Sequence, residues 1–178
     1  ICLINQAGNQ AVFVENSRFY TSDTEALFDV SSVSGSYYVL FLFHFIMRET
    51  EDYEKLVPFL IENDLEFSEE DPVPTDLVKC WEVVAGREAD AELLAALVLA
   101  KREGKFIIDG IAVKPMFRKF KIGKILMEKG IKEVLDQGGD SIYLVARAPE
   151  FFRKLGFVTI PREDAPNFFE CLTCPQYG

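Results

Sequence analysis

Gly110-Ile111-Ala112-Val113-Lys114-Pro115-Met116-Phe117-Arg118-Lys119-Phe120-Lys121-Ile122-Gly123-Lys124-Ile125-Leu126 passes from an apolar run through a basic, proline-broken turn into an amphipathic run. The β-branched residues Ile107, Ile108, Ile111 and Val113 favour a buried strand. Pro115 has no N–H to give a ladder and ends it. Ile122, Ile125, Leu126, Ile131, Val134 and Leu135 then recur at helical spacing, which predicts a helix from about 122 to 137, stopped by Gly138-Gly139. The junction suits an anion. The first amides of a helix have no partner within it, and the helix dipole adds positive potential there. Gly123 admits a close approach to the backbone, and Arg118, Lys119, Lys121 and Lys124 add charge. The pattern is not Gly-x-x-x-x-Gly-Lys-Ser, which speaks against a nucleoside triphosphatase.

Charge distribution agrees with that reading. The chain has 178 residues and a formal charge of −10, which argues against general nucleic-acid binding. Yet the segment 101–132 holds ten Lys or Arg against three acids, Glu103, Asp109 and Glu128. A solvated helix face and a site for a small polyanion both fit this concentration. The segment 49–71 is the reverse, with ten acids and the single base Lys55.

Working outward, Glu92 to Lys101 and Lys105 to Val113 are apolar runs joined by Arg102-Glu103-Gly104, a hairpin pattern. Leu93 to Ala100 alone would also suit a helix. Upstream, Tyr38 to Arg48 reads as a strand, and Thr50 as the cap of a helix with Tyr53, Leu56, Val57, Leu60, Ile61 and Leu65 on one face. Lys79 to Val84 reads as a short strand, although Thr75 to Val84 would also suit the start of a helix. Downstream come a strand from Ser141 to Ala146, a short helix from Pro149 to Leu155 closed by Gly156, and strands at Phe157 to Ile160 and Phe168 to Leu172. This is an α/β chain with a mixed, mostly antiparallel sheet flanked by helices and one βαβ crossover. Residues 1–37 form an N-terminal extension, with a possible strand at Ala11 to Glu15, and 38–178 the domain.

The basic turn resembles the acyl-CoA loop of the GNAT superfamily, where a strand ending Val-x-Pro leads to Arg-x-x-Gly-x-Gly and a helix. Arg118 matches the Arg, Lys121 stands at the first Gly and Gly123 at the second. Phe151-Phe152-Arg153-Lys154-Leu155-Gly156-Phe157 resembles the superfamily's later Phe-Tyr-x-x-x-Gly-Phe motif, and the element order is similar. Within the superfamily, Val145 to Phe157 and the tail from Ile160 to Pro175 resemble bacterial N-acetylglutamate synthase catalytic domains.

The resemblance implies acetyl-CoA as cosubstrate and direct attack of an amine on its thioester in a ternary complex. It makes Ile111, Ala112, Val113, Arg118, Lys119, Phe120, Lys121, Ile122, Gly123, Lys124 and Phe152 the coenzyme-binding candidates. Backbone amides near Ile111 to Val113 would hold the oxyanion. Asp109, four residues before Val113 and so expected on the same strand face, is the candidate relay base, with Glu82 a weaker one; pairing with a nearby Lys is the alternative for Asp109. Phe152 takes the place of the usual acidic Tyr, so Tyr143 becomes the candidate acid or else a packed core residue. Arg147 is the candidate for gripping a substrate carboxylate, or else pairs with Glu150. A glutamate-like amino acid is one expected acceptor; the acidic 49–71 segment would suit a cationic one. The departures at Lys121 and Phe152 also keep open a non-catalytic acyl-CoA sensor.

His44, the only histidine, falls on an apolar run and reads as a core residue. Cys171 and Cys174 lack a second ligand pair, so no metal is expected. The four scattered cysteines and the absence of a visible signal peptide give a cytoplasmic expectation, with neither membrane nor nucleic acid as partner and a homodimer possible.

Overall fold

The computed structural model describes residues 2–6, 45–85, 91–161 and 164, the first of these segments through its backbone. The expected strand at Ala11 to Glu15, His44, the expected strand at Phe168 to Leu172, and Cys171 and Cys174 all lie outside the described residues.

In chain order the elements are β1 (Cys2–Gln6), β2 (Phe45–Thr50), α1 (Tyr53–Glu62), β3 (Leu77–Ala85), β4 (Glu92–Arg102), β5 (Lys105–Val113), a 3-10 turn (Pro115–Phe120), α2 (Ile122–Asp136), β6 (Ser141–Val145), α3 (Pro149–Arg153) and β7 (Val158–Thr159). The strands form one sheet in the order β2-β3-β4-β5-β6-β1-β7. Every neighbouring pair is antiparallel except β5 and β6, which are joined through α2 as the βαβ unit expected from the sequence. β1 comes from the segment read as an extension. It pairs with β6 over five residues, Cys2↔Val145 to Gln6↔Ser141, and separates β6 from β7.

β4 is an interior strand, between β3 and β5, and is covered on both faces. Leu94, Leu97 and Leu99 pack toward α2, and Ala96 and Val98 toward α1. Such a strand reads as an unbroken apolar run, which is why its sequence also fits a helix. Leu97 and Leu99 are 0% exposed, each contributing about 2 kcal/mol by burial. On the α2 side Ile122, Leu126, Met127 and Val134 complete the core; Leu135, expected in that stripe, is 48% exposed. On the other face α1 buries Tyr53, Leu56, Val57, Phe59 and Leu60.

The caps differ from the sequence expectation in one place. Asp52, not Thr50, caps α1 by accepting the Lys55 N–H at 3.1 Å, while the Thr50 hydroxyl accepts the Asp52 N–H at 3.1 Å. α2 ends as expected: Gly138 takes φ +73°, and the amides of Gly138 and Gly139 return to the carbonyls of Leu135 and Val134.

Candidate functional site

β5 and β6 are paired at Phe106↔Ile142 and Ile107↔Tyr143 only. Beyond those rungs β5 continues to Val113 in register with β4, from Val98↔Gly110 to Ala95↔Val113. In a strand successive amides point to opposite edges, so alternate amides of 108–113 face the side that β6 has left. Ile111 and Val113 are half-buried against the core on the α2 face, and Ala112 is buried on the α1 face.

The basic turn closes the top of this opening. Pro115 starts a 3-10 turn whose Phe117 and Phe120 rings sit 5.6 Å and 5.8 Å from the Phe45 ring, pinning the turn to β2. Phe120 is therefore held by aromatic packing, and the cations around it stand outward. Arg118, Lys119 and Lys121 are exposed, and Lys124 lies 3.6 Å from Glu128. Lys121 takes the left-handed conformation, φ +60° and ψ +14°, as N-cap of α2. That conformation is the physical reason a Gly suits the position, and a Lys there carries strain of about 1 kcal/mol. No side chain caps α2. The first return bond of the helix is Ile125 N–H to Lys121 C=O at 3.2 Å, which leaves the amides of Ile122, Gly123 and Lys124 at the helix start.

Gly123 has a packing reason as well. A Cβ there would stand 3.3 Å from Phe151 Cζ and 3.4 Å from Val113 Cγ2. The ring that reaches the loop is thus Phe151, which the sequence reading passed over. Phe152 is buried in the core, edge-on to Phe151 at 5.0 Å and to Phe157 at 5.8 Å.

The polar candidates are dispersed. Asp109 lies on the α1 side, beside a break in register: Val98 pairs with Gly110 and Leu99 with Ile108, so Asp109 is an extra residue, a β-bulge. Its carboxylate receives both prongs of Arg102, at 2.8 Å and 3.0 Å, and Arg102 Nε donates to Asp76 at 2.6 Å. The ion pair of Asp109 is therefore with Arg102, not with the lysine expected, and the bulge turns its side chain to the face opposite Val113 instead of the shared face that the spacing predicted. Tyr53 lies close by. Burial first and the Asp109 charge second push its hydroxyl up to about 12, and the same two causes raise Cys80 to about 11. Both are protonated near neutrality.

Glu82, the weaker base candidate, is 2% exposed and has both oxygens taken, by Arg48 at 2.6 Å and Lys55 at 2.8 Å. Burial alone would push its carboxyl up in pKa; the hydrogen bonds from Lys55 and Arg48 outweigh burial and hold it below the usual carboxylate value. Glu82 is an ion-pair centre linking β2, β3 and α1.

Tyr143 is set apart from the loop. It is in register with Ile107, six residues before Val113, roughly 20 Å along the strand. It lines a polar cavity of about 440 Å³ at the other end of β5, with Lys105 Nζ 5.3 Å from its ring centroid. Arg147, just past β6, is exposed and has no ion-pair partner among the described residues; Glu150 pairs with Arg153 instead. Among the described residues no group of three or more metal-ligating side chains gathers, and no helix is long and apolar enough to cross a membrane.

Comparison with known proteins accords with this geometry. A GNAT-family acetyltransferase from Staphylococcus aureus Mu50 superposes with a TM-score of 0.58 at 21% identity, over 70% of this chain and 91% of that one. It shows the shared fold. An acetyltransferase from Trypanosoma brucei is more distant, with a TM-score of 0.47 at 16% identity over 69% of this chain and 99% of that one. No curated protein matches the chain. Residues 44–157, well over half of the 178, match the Acetyltransferase (GNAT) family. The chain belongs to that family, whose members use acetyl-CoA as cosubstrate.

Proposed function

We propose that this protein transfers the acetyl group of acetyl-CoA to a primary amine of a small molecule, by direct attack within a ternary complex. The observation that carries the proposal is the start of α2: three backbone amides without a side-chain cap, beside exposed Arg118, Lys119 and Lys121. Main-chain N–H groups and cations in that arrangement suit the coenzyme's diphosphate. The pantetheine arm would then lie in the opening between β5 and β6, and its thioester carbonyl would accept from β5 amides among Ile111 to Val113.

In this reading Asp109 receives the amine's proton through water, and the amine nitrogen attacks the thioester carbon. Tyr143 lies too far down the sheet to protonate the sulfur. Coenzyme A leaves as a thiolate and takes its proton from solvent. Arg147, exposed and without an ion-pair partner among the described residues, is suited to a carboxylate on the acceptor, which favours an amino acid such as glutamate.

Thiol release from acetyl-CoA across L-glutamate, other amino acids, spermidine and a short peptide tests the reading. Turnover with an amino acid is expected. Acetyl-CoA binding without turnover on any of them would replace it with the sensor reading, which Lys121 and Phe152 support.

A further inference from the structure

Arg102 sits at the end of β4 and was not singled out in the sequence. Its guanidinium makes three hydrogen bonds to two carboxylates, Asp76 through Nε and Asp109 through both terminal nitrogens. The side chains of Arg102, Asp76 and Asp109 are 26%, 26% and 15% exposed, so the group is half-buried, not a surface pair. Asp109 is the extra residue of a bulge, a device that re-aims a side chain. It also lies two residues past Ile107, the last rung before β5 and β6 part. A carboxylate at that point has freedom about its own χ angles unless something fixes its plane. A two-pronged guanidinium does so, and a lysine ammonium does not.

We propose that Arg102 is a positioning residue for acetyl transfer: anchored by Asp76, it fixes the Asp109 carboxylate at the parting of β5 and β6, where the acceptor amine's proton is delivered. This rests on the reading of Asp109 as relay base. An N–H bond of the substrate ammonium breaks, and its proton passes through water to an Asp109 oxygen. The electron pair left on nitrogen forms the bond to the thioester carbon; as the tetrahedral intermediate collapses the C–S bond breaks, coenzyme A leaves as its thiolate, and the second nitrogen proton passes to solvent to give the amide. Asp109 returns the proton to solvent after product leaves. The groups facing Asp109 are Arg102 on β4, Asp76 ahead of β3, Tyr53 on α1 and Cys80 on β3. Tyr53 and Cys80 stay neutral near pH 7, so Arg102 and Asp76 set the local charge balance.

The test uses the full chain, acetyl-CoA and the most active amine of the panel named above. Asp109→Asn should lower kcat about a hundredfold. Arg102→Gln should lower kcat about tenfold or more and leave acetyl-CoA affinity and the KM for the amine unchanged. Arg102→Lys keeps the charge without the fork and should show the same kcat loss; it also serves if Arg102→Gln does not fold. Added to Asp109→Asn, Arg102→Gln should cost nothing further in kcat, because it acts through that carboxylate. A merely structural role would lower the melting temperature and leave kcat in place, or add its loss to that of Asp109→Asn, and either result overturns the proposal. An impaired Asp109→Asn beside an undiminished Arg102→Gln removes the positioning role alone. An undiminished Asp109→Asn removes the relay base, and no turnover with any amine removes the transfer reading; either takes the positioning role with it.

Discussion

The guanidinium of Arg118 turns back onto its own strand and donates from Nε to the carbonyl oxygen of Val113 at 3.1 Å. This bond ties the basic turn to the end of β5 and leaves the terminal nitrogens of Arg118 for an anion. Arg118→Glu removes the tie and reverses the charge. Acetyl-CoA affinity measured by calorimetry should fall at least tenfold, with little change in thermal stability because the residue is exposed. Unchanged affinity would separate the turn from the coenzyme.

Lys121 is the position where backbone and charge pull in opposite directions. Its φ of +60° strains any side chain, a β-branched one most. Lys121→Gly should leave thermal stability unchanged or raise it by up to about 1 kcal/mol while weakening acetyl-CoA binding. Lys121→Val should cost about 1–2 kcal/mol. Equal melting temperatures for the two variants would show that the left-handed conformation is not retained.

The closed end of α2 offers a packing test. A Cβ on Gly139 would stand 2.6 Å from both Phe106 Cε2 and Val134 Cγ1, side chains that are themselves buried in the core and would have to shift. Gly139→Ala should cost about 2 kcal/mol, a fall of roughly 4–8 °C in Tm for a chain of this size. Gly104, with nothing within 4 Å of its missing Cβ, has room, so the φ of +81° alone sets the smaller cost of Gly104→Ala.

Glu82 gives a pH prediction with a definite sign. Its folded value is depressed by Lys55 and Arg48 against the burial that opposes them. The stability it contributes is therefore present above its ordinary value of 4.5 and is lost as pH falls through the lower folded value. Glu82→Gln should cost about 1–2 kcal/mol at pH 7, since Arg48 and Lys55 are partly exposed and can rehydrate. The acid limb of its stability profile should be shallower than that of the parent chain. A parallel displacement of the two profiles would refute the assignment.

Much of this architecture is legible in the sequence, for identifiable reasons. Pro115, the β-branched run before it and the apolar spacing after it mark the strand, turn and helix, because each is a local preference of backbone and side chain. β1 was not legible: its five residues gain their strand character from the slot between β6 and β7, a partner far away in sequence. The Arg102–Asp109 pair was hidden for a related reason. Seven residues separate them, but a hairpin and a bulge, not sequence spacing, bring them together. That Phe151 and not Phe152 stands beside Gly123 was not legible either, because the short helix α3 turns one ring toward Gly123 and the next inward, and one residue of register decides which.

Amide chemical shifts of the ¹⁵N-labelled chain during titration with acetyl-CoA report whether the coenzyme's diphosphate sits on the start of α2. The signals of Ile122, Gly123 and Lys124, together with alternate amides of Ile111 to Val113, should shift and saturate in the micromolar range. Acetyl-CoA that leaves the amides at the start of α2 unmoved, or moves a different set, would contradict the account.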